Sequence, residues 1–134
     1  MLRSHTSFVC CFVGAVFLAG CGRKPVAPTP ASAADGLREI VEVYKYLDYS
    51  GQTPPRFVEE LTGFIDTLPN ALPRIQSGEY ELAWGVGLSS IPLASGGVLA
   101  FEKNVATEGG AVLLRDGTVR QMTPHEFAAA RRIH

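Results

Sequence analysis

Cysteine is scarce in this chain, and its positions exclude folds and sites that depend on thiols. Only three of the 134 residues are cysteine, and they stand at positions 10, 11 and 21. The rest of the chain has no thiol with which to form a disulfide or to ligate zinc. Its stability must therefore come from an ordinary hydrophobic core.

Neither sign of charge is in excess, and histidine is absent from most of the chain. Twelve Lys and Arg stand against thirteen Asp and Glu, and no basic patch is dense enough to indicate nucleic-acid binding. No histidine lies between His5 and His125, and His125 is expected to be a solvated surface residue. We therefore expect no metal, no cofactor and no nucleic-acid partner.

The first apolar run is too short to span a membrane. It extends from Phe8 to Ala19, twelve uncharged residues preceded by Arg3. A helix of that length rises about 18 Å, whereas the hydrocarbon core is about 30 Å thick. A positive start, a short apolar run and small residues at its end are typical of a secretory signal peptide, predicted here over residues 1–20.

The end of this run, Leu18-Ala19-Gly20-Cys21, resembles the lipobox of bacterial lipoproteins position for position. The resemblance implies cleavage between Gly20 and Cys21 and a diacylglycerol on the thiol of Cys21. Gly22 rather than aspartate follows, which implies the outer membrane as the site of this envelope anchor. The alternative is an uncleaved buried helix with an incidental cysteine.

A linker and one domain are predicted to follow. Residues 21–34 contain the lipidated cysteine and GRKPVAPTPASAA, whose three prolines favour an extended spacer. Residues 35–134 provide enough chain for one small domain with a modest core.

The first half of this domain has helical periodicity. Asp35 is the predicted N-cap of a first helix, and Gly51 its terminator. Its apolar face consists of Leu37, Ile40, Val41, Tyr44 and Leu47. Pro55 is predicted in the first turn of a second helix. The apolar stripe of that helix consists of Phe57, Val58, Leu61, Phe64 and Ile65. A loop or broken helical turn is predicted from Leu68 to Gly78.

In the second half of the domain, apolar residues recur at every second position. Apolar residues alternate along one predicted strand, at Tyr80, Leu82, Trp84, Val86 and Leu88. Further strands are predicted at Val98–Glu102 and on either side of the hairpin turn Asp116-Gly117, where both residues are expected to have positive φ. A Thr123 capping box opens a short terminal helix. The expected fold is α+β: two helices, an antiparallel meander sheet and a C-terminal helix.

The stretch VLAFEKNVATEGGAVLLRDGTVRQMTPHEF, residues 98–127, resembles the end of the pilin-like proteins of planctomycete bacteria. The stretch LREIVEVYKYLDYSGQTPPRFVEELTGF, residues 37–64, is similar to the globular start of pseudopilins. The chain lacks the histidine that this group has near Ala106. A lipobox and a proline linker replace the polymerising helix, so the resemblance does not imply filament assembly.

Two sets of side chains are candidates for chemistry or binding. Trp84 shares a predicted strand face with Tyr80, so the pair is either core, which is favoured, or a stacking platform for a sugar or peptide. The second set, Glu102, Asn104, Glu108 and Asp116, has oxygen atoms suited to calcium or to paired-carboxylate hydrolysis. Spacing does not show these groups converging. Asp116 fits a turn residue, and Glu102 with Lys103 an exposed strand end.

The expected function is that of a lipid-anchored cell-envelope protein with a non-catalytic domain, structural or partner-binding. The membrane is the first partner, and an envelope protein is the second. The strand Val98–Glu102 is predicted to be an exposed sheet edge that could accept a partner's strand. The alternative is a small hydrolase of envelope polymer, or a ligand-binding accessory domain of an enzyme.

Overall fold

The computed structural model describes residues 32–89 and 97–132, with side chains through residue 130, so the predicted signal peptide and Cys21 lie outside the described residues. The helices are α1 (Ala33–Tyr49), α2 (Val58–Leu61) with a 3-10 turn (Thr62–Phe64), α3 (Ala71–Gln76), α4 (Val105–Glu108) and α5 (Pro124–Ala129). The strands are β1 (Tyr80–Leu82), β2 (Gly97–Glu102), β3 (Gly110–Leu114), β4 (Val119–Met122) and β5 (Arg131–Arg132). The predicted α+β class is confirmed.

Helix α1 begins earlier than the sequence suggested. Its N-cap is Ser32, whose hydroxyl accepts the backbone N–H of Asp35 at 3.3 Å. The carboxylate of Asp35 in turn accepts the N–H of Ser32 at 2.9 Å, and hydrogen bonding to Ser32 lowers the pKa of Asp35. The prediction of Asp35 as N-cap is wrong because this residue fills the third helical position of a capping box. At the other end Gly51 has φ +68°, so the predicted terminator is confirmed.

The second helix starts at Val58, and Pro55 lies outside it. Because Pro54 precedes another proline, its backbone is biased away from the helical region. Pro55 is buried, and its carbonyl accepts the N–H of Gly85 at 2.7 Å. The placement of Pro55 in the first helical turn is therefore wrong.

The predicted apolar stripe of this helix is only partly buried. Leu61 is in the core, while Phe57 and Ile65 are exposed. The α-helix lasts one turn and continues as a 3-10 turn, whose three-residue period moves later residues off the buried face. Helix α3 then forms within the predicted loop or broken turn.

The sheet has the strand order β1-β2-β3-β4, all antiparallel, and β5 pairs in parallel with β2. Strand β2 forms where it was predicted, but it is an interior strand. Tyr80 of β1 pairs with Glu102 of β2 on one side, and Val112 of β3 pairs with Phe101 of β2 on the other. The prediction that Val98–Glu102 is an exposed edge is therefore wrong, since both neighbours already occupy its backbone groups.

Strand β1 is much shorter than the apolar alternation predicted. It ends at Leu82, and the backbone turns at Trp84 and Gly85. Gly85 has φ +73° and donates its N–H to Pro55 rather than to a strand. The alternation through Leu88 is therefore not a strand, because the chain leaves the sheet to pack on the segment before α2.

The Asp116-Gly117 hairpin is confirmed, with a different turn geometry. Only Gly117 has positive φ, at +84°, and its N–H donates to the carbonyl of Leu114 at 3.0 Å. The carboxylate of Asp116 accepts the N–H of Thr118 at 2.8 Å. This is a three-residue loop with glycine in the left-handed position. The prediction of positive φ at both Asp116 and Gly117 is therefore wrong.

Two hydrophobic clusters hold the described residues together. The larger lies between α1, α3 and one face of the sheet, and includes Leu37, Ile40, Tyr44, Leu47, Leu61, Leu72, Tyr80, Leu99 and Leu113. The smaller lies beneath α4 and α5, and consists of Val98, Val105, Val112, Met122 and Phe127. The confirmed Thr123–Glu126 capping box starts α5 beside this second cluster.

Tyr44 carries the one buried side-chain polar atom without a hydrogen-bond partner among the described residues. Its ring is 2% exposed, and burial raises the pKa of Tyr44 to about 12. We expect Tyr44→Phe to raise the free energy of unfolding by about 1–2 kcal/mol at pH 7, because it removes an unsatisfied buried hydroxyl. Urea unfolding measures the change, and destabilisation would show that the hydroxyl has a partner.

Burial of Tyr44 is also expected to make the domain less stable in alkali. The unfolded chain releases the Tyr44 proton near the ordinary pKa of 10.0, and the folded chain near 12. The contribution of Tyr44 to the free energy of unfolding is therefore fully present below pH 10. It is lost as the pH rises towards 12, by about 2–3 kcal/mol in all. Tyr44→Phe should lack this component. Equal slopes for the two proteins in urea unfolding between pH 9 and 11 would contradict the assignment.

Candidate functional site

Tyr80, one of the two candidate binding residues, is a buried structural residue. Its hydroxyl donates to the carbonyl of Ala33 at 2.5 Å, and the Arg74 guanidinium lies 5.6 Å from its ring centroid. A Cβ on Gly36 would come within 2.6 Å of this hydroxyl. Burial raises the pKa of Tyr80. Tyr80 therefore fastens the first turn of α1 to β1 and offers no face for stacking.

Trp84, the other candidate, lies on the turn after β1 and is 38% exposed. The favoured interpretation, that it is the central core residue, is wrong because β1 ends before it. The joint platform with Tyr80 does not form either, since one ring is buried and the other exposed. Trp84 alone remains available on the surface.

Five large apolar side chains are exposed among the described residues, and they come from three neighbouring segments. We call Tyr46, Tyr49, Phe57, Ile65 and Trp84 the apolar patch. Tyr46 and Tyr49 are three residues apart on α1, so they lie on one side of the helix. Tyr49 is the most exposed, at 93%.

Direct contacts join these three segments. The ring of Tyr46 meets Phe64, which adjoins Ile65, edge to face with centroids 5.9 Å apart. The hydrogen bond from Gly85 to Pro55 ties the Trp84 turn to the segment that contains Phe57. The C-terminal end of α1, the α2 region and the turn after β1 therefore form one end of the molecule.

A groove of about 370 Å³ opens at this end of the molecule. Its lining residues are Leu47, Gln52, Thr53, Pro55, Glu60 and Phe64. Three of them provide apolar walls, while Glu60 provides a carboxylate that also accepts the backbone N–H of Arg56 at 2.8 Å. The groove can therefore receive a side chain that has both an apolar and a positively charged part.

The surroundings of the apolar patch are acidic. Residues 46–66 carry one basic side chain, Arg56, and four acidic ones, and Arg115 adds a second basic group near this end, where its Nε donates to the carbonyl of Gly87 at 3.0 Å. The acidic residues are Asp48, Glu59, Glu60 and Asp66, all exposed. Lys45, just outside this range, is paired with Glu42 at 3.0 Å. The whole chain has nearly equal numbers of acidic and basic residues, so the acidic excess is a local property of this end.

Two of the three carboxylates proposed for calcium binding or hydrolysis, Glu102 and Asp116, accept backbone N–H groups instead. Glu102 is half-buried and accepts the N–H of Ala111 at 2.5 Å, so its prediction as an exposed strand end is wrong. Asp116 is held in the hairpin turn as predicted. Asn104 begins α4 without a side-chain capping bond, and Glu108 is exposed at the end of α4. Within residues 32–89 and 97–130, no three His, Cys, Asp or Glu side chains are grouped to hold a metal ion.

Two shallow grooves of about 350 Å³ each bring two carboxylates to the same surface: Glu79 and Glu102 beside Asn104 in one, and Glu108 and Glu126 in the other. Glu126 accepts the N–H and hydroxyl of Thr123 at 2.7 and 2.9 Å, and the backbone hydrogen bond lowers its pKa. A carboxylate held ionised in this way is unsuited to act as a general acid. His125, on the same helix, is exposed as predicted.

Reasoning from the sequence missed most of the apolar patch. Tyr46 and Tyr49 lie outside the apolar face that runs from Leu37 to Leu47, and two aromatic residues off the buried face were a usable signal. Phe57 and Ile65 gave no such signal, because they continued a plausible helical stripe.

None of the helices among the described residues has both the length and the apolar character needed to cross a bilayer. Comparisons with protein-family models, with curated proteins and with solved structures give no match for this chain. The resemblances to bacterial lipoproteins and to planctomycete pilin-like proteins therefore stay predictions.

Proposed function

We propose that the chain is a lipid-anchored protein of the bacterial cell envelope, and that its α+β domain binds another protein rather than catalysing a reaction. The apolar patch carries the binding part of this proposal. Aromatic side chains that lie together on a surface are typical of protein interfaces, where Tyr, Trp and Phe are enriched. The sequence Leu18-Ala19-Gly20-Cys21 supports the anchoring part.

The position of the patch suits a tethered binding domain. The linker joins the domain at Ser32, the N-cap of α1, whereas the patch lies at the other end of that helix. Seventeen residues of α-helix separate the two by about 25 Å. An anchor at Cys21 would therefore be attached at the end of α1 opposite the apolar patch and would leave the patch accessible to a partner.

The hydrolase alternative has weaker support. Its best observations are the two grooves that each hold a pair of carboxylates. In each groove one carboxylate has a sufficient structural purpose: Glu126 caps α5, and Glu102 accepts the N–H of Ala111. Binding through the apolar patch explains five exposed side chains that folding leaves unexplained.

Metabolic labelling with a palmitate analogue tests the anchor. We expect label on the wild-type protein in the membrane fraction, and complete loss of label for Cys21→Ser. The double variant Cys10→Ser/Cys11→Ser is the matched control and should keep its label, because both residues leave with the signal peptide. An unlabelled wild type, or equal labelling of Cys21→Ser, would refute anchoring at this sulfur.

A further inference from the structure

We infer that the apolar patch docks a cationic segment with apolar residues from another protein of the envelope. This inference rests on the proposed function and specifies the partner. Three observations carry it: the grouping of the exposed apolar side chains, the acidic residues around them, and the groove that combines both properties.

The exposed apolar side chains indicate that something covers this end of the molecule. Tyr49 is 93% exposed and Phe57 50%, and both lie within the same joined segments. Single exposed apolar residues are normal on protein surfaces, but here every large one among the described residues belongs to one of the three joined segments. Folding leaves the apolar surface of these rings in contact with water. Association that buries the rings removes this surface from water, which is favourable.

The acidic residues decide which kind of partner fits. A second copy docked through the same surface would bring two acidic surfaces together, with like-charge repulsion among the carboxylates of Asp48, Glu59 and Asp66. Anionic lipid headgroups would be repelled by the same groups. A segment rich in Lys or Arg gains attraction at each of these positions, and its association is accelerated by electrostatic steering.

The groove shows how one side chain of the partner could be recognised. Leu47 and Phe64 can pack against the aliphatic stem of a Lys or Arg, while the carboxylate of Glu60 attracts its charged head. Pro55 also lines the groove, and the hydrogen bond from Gly85 to its carbonyl holds it in place. Apolar residues next to this side chain in the partner would then cover exposed rings of the apolar patch.

Site-specific photo-crosslinking in living cells tests the partner class with the complete, anchored chain. The photoreactive residue p-benzoylphenylalanine replaces Tyr49, and in a control protein it replaces Gln121, an exposed residue of β4. We expect crosslinks from position 49 to peptides of another envelope protein that carry net positive charge and apolar residues. Yield from position 121 should be at least tenfold lower.

Charge reversal sharpens this test. The double variant Glu59→Lys/Asp66→Lys should lower the yield from position 49 about tenfold, because it removes two attractions and adds two repulsions. Glu79→Lys/Glu108→Lys makes the same change in net charge at exposed residues away from the patch and should leave the yield unchanged. Equal effects of the two double variants would overturn the inference.

Other occupants of the patch give distinct results. Crosslinks to a second copy, to the chain's own residues 22–31 with Arg23 and Lys24, to lipid, or to acidic peptides would each overturn the inference. A yield from position 49 no higher than that from position 121 would also overturn it. Palmitate labelling of Cys21 reports separately on the anchor, so failure of the docking inference and failure of anchoring are distinguishable.

Discussion

Replacing Phe127 by alanine is expected to lower the free energy of unfolding by about 3–5 kcal/mol. The side chain is fully buried, and its ring lies 4.8 Å from that of Phe101, centroid to centroid. It fills the centre of the smaller hydrophobic cluster together with Val105 and Met122. A loss of this size is a large part of the stability of a small domain.

Urea unfolding measures this loss, and Phe57→Ala is the matched control. Phe57 is half exposed, so the same truncation there should change stability by less than about 1 kcal/mol. The contrast tests the division between core and surface aromatic residues on which the binding proposal depends. Comparable losses for Phe57→Ala and Phe127→Ala would mean that Phe57 belongs to the core and not to the apolar patch.

The features that the sequence predicted correctly depend on local chemistry. A glycine terminates α1 at Gly51, a capping box starts α5 at Thr123, and Asp116-Gly117 makes the hairpin. Each needs only residues within a few positions of one another, so its physical cause is contained in a short stretch of sequence. The apolar face of α1 was predicted for the same reason, since helical periodicity decides which side chains can be buried together.

The predictions that are wrong depend on contacts between residues distant in the sequence. The alternation through Trp84 indicated a long strand, but the hydrogen bond between Gly85 and Pro55 pulls that segment out of the sheet. The strand Val98–Glu102 was predicted correctly as a strand, yet its interior position depends on which strands pair with it. Periodicity specifies which face of an element is apolar, but it does not specify the neighbours.

The candidate site follows from these same distant contacts. Tyr46 and Tyr49 are visible in the sequence as aromatic residues off the buried face of α1, but Phe57 and Trp84 join them only because the chain folds back. Residues 46–66 are plainly acidic in the sequence, whereas a surface that is acidic and aromatic together exists only in the fold. The binding surface therefore could not be predicted, although most of its components could be seen.

The glycine-rich loop between α4 and β3 is expected not to tolerate a side chain at Gly109. Gly109 has φ +78° and ψ 171°, a region of backbone conformation that is essentially restricted to glycine. A Cβ at this position would lie 2.9 Å from the carbonyl oxygen of Met122, which is fixed in β4. We expect Gly109→Ala to destabilise the domain by about 3–4 kcal/mol, because conformational strain and a contact with immobile backbone act together.

Gly63→Ala is the matched control for this substitution. Gly63 lies in the 3-10 turn after α2 with ordinary negative φ, and a Cβ there would meet nothing within 4 Å. Alanine should therefore leave stability unchanged or raise it by up to about 1 kcal/mol, by restricting the unfolded chain. Urea unfolding of the two variants should move in opposite directions from the wild type. Equal stabilities would show that the loop at Gly109 relaxes freely.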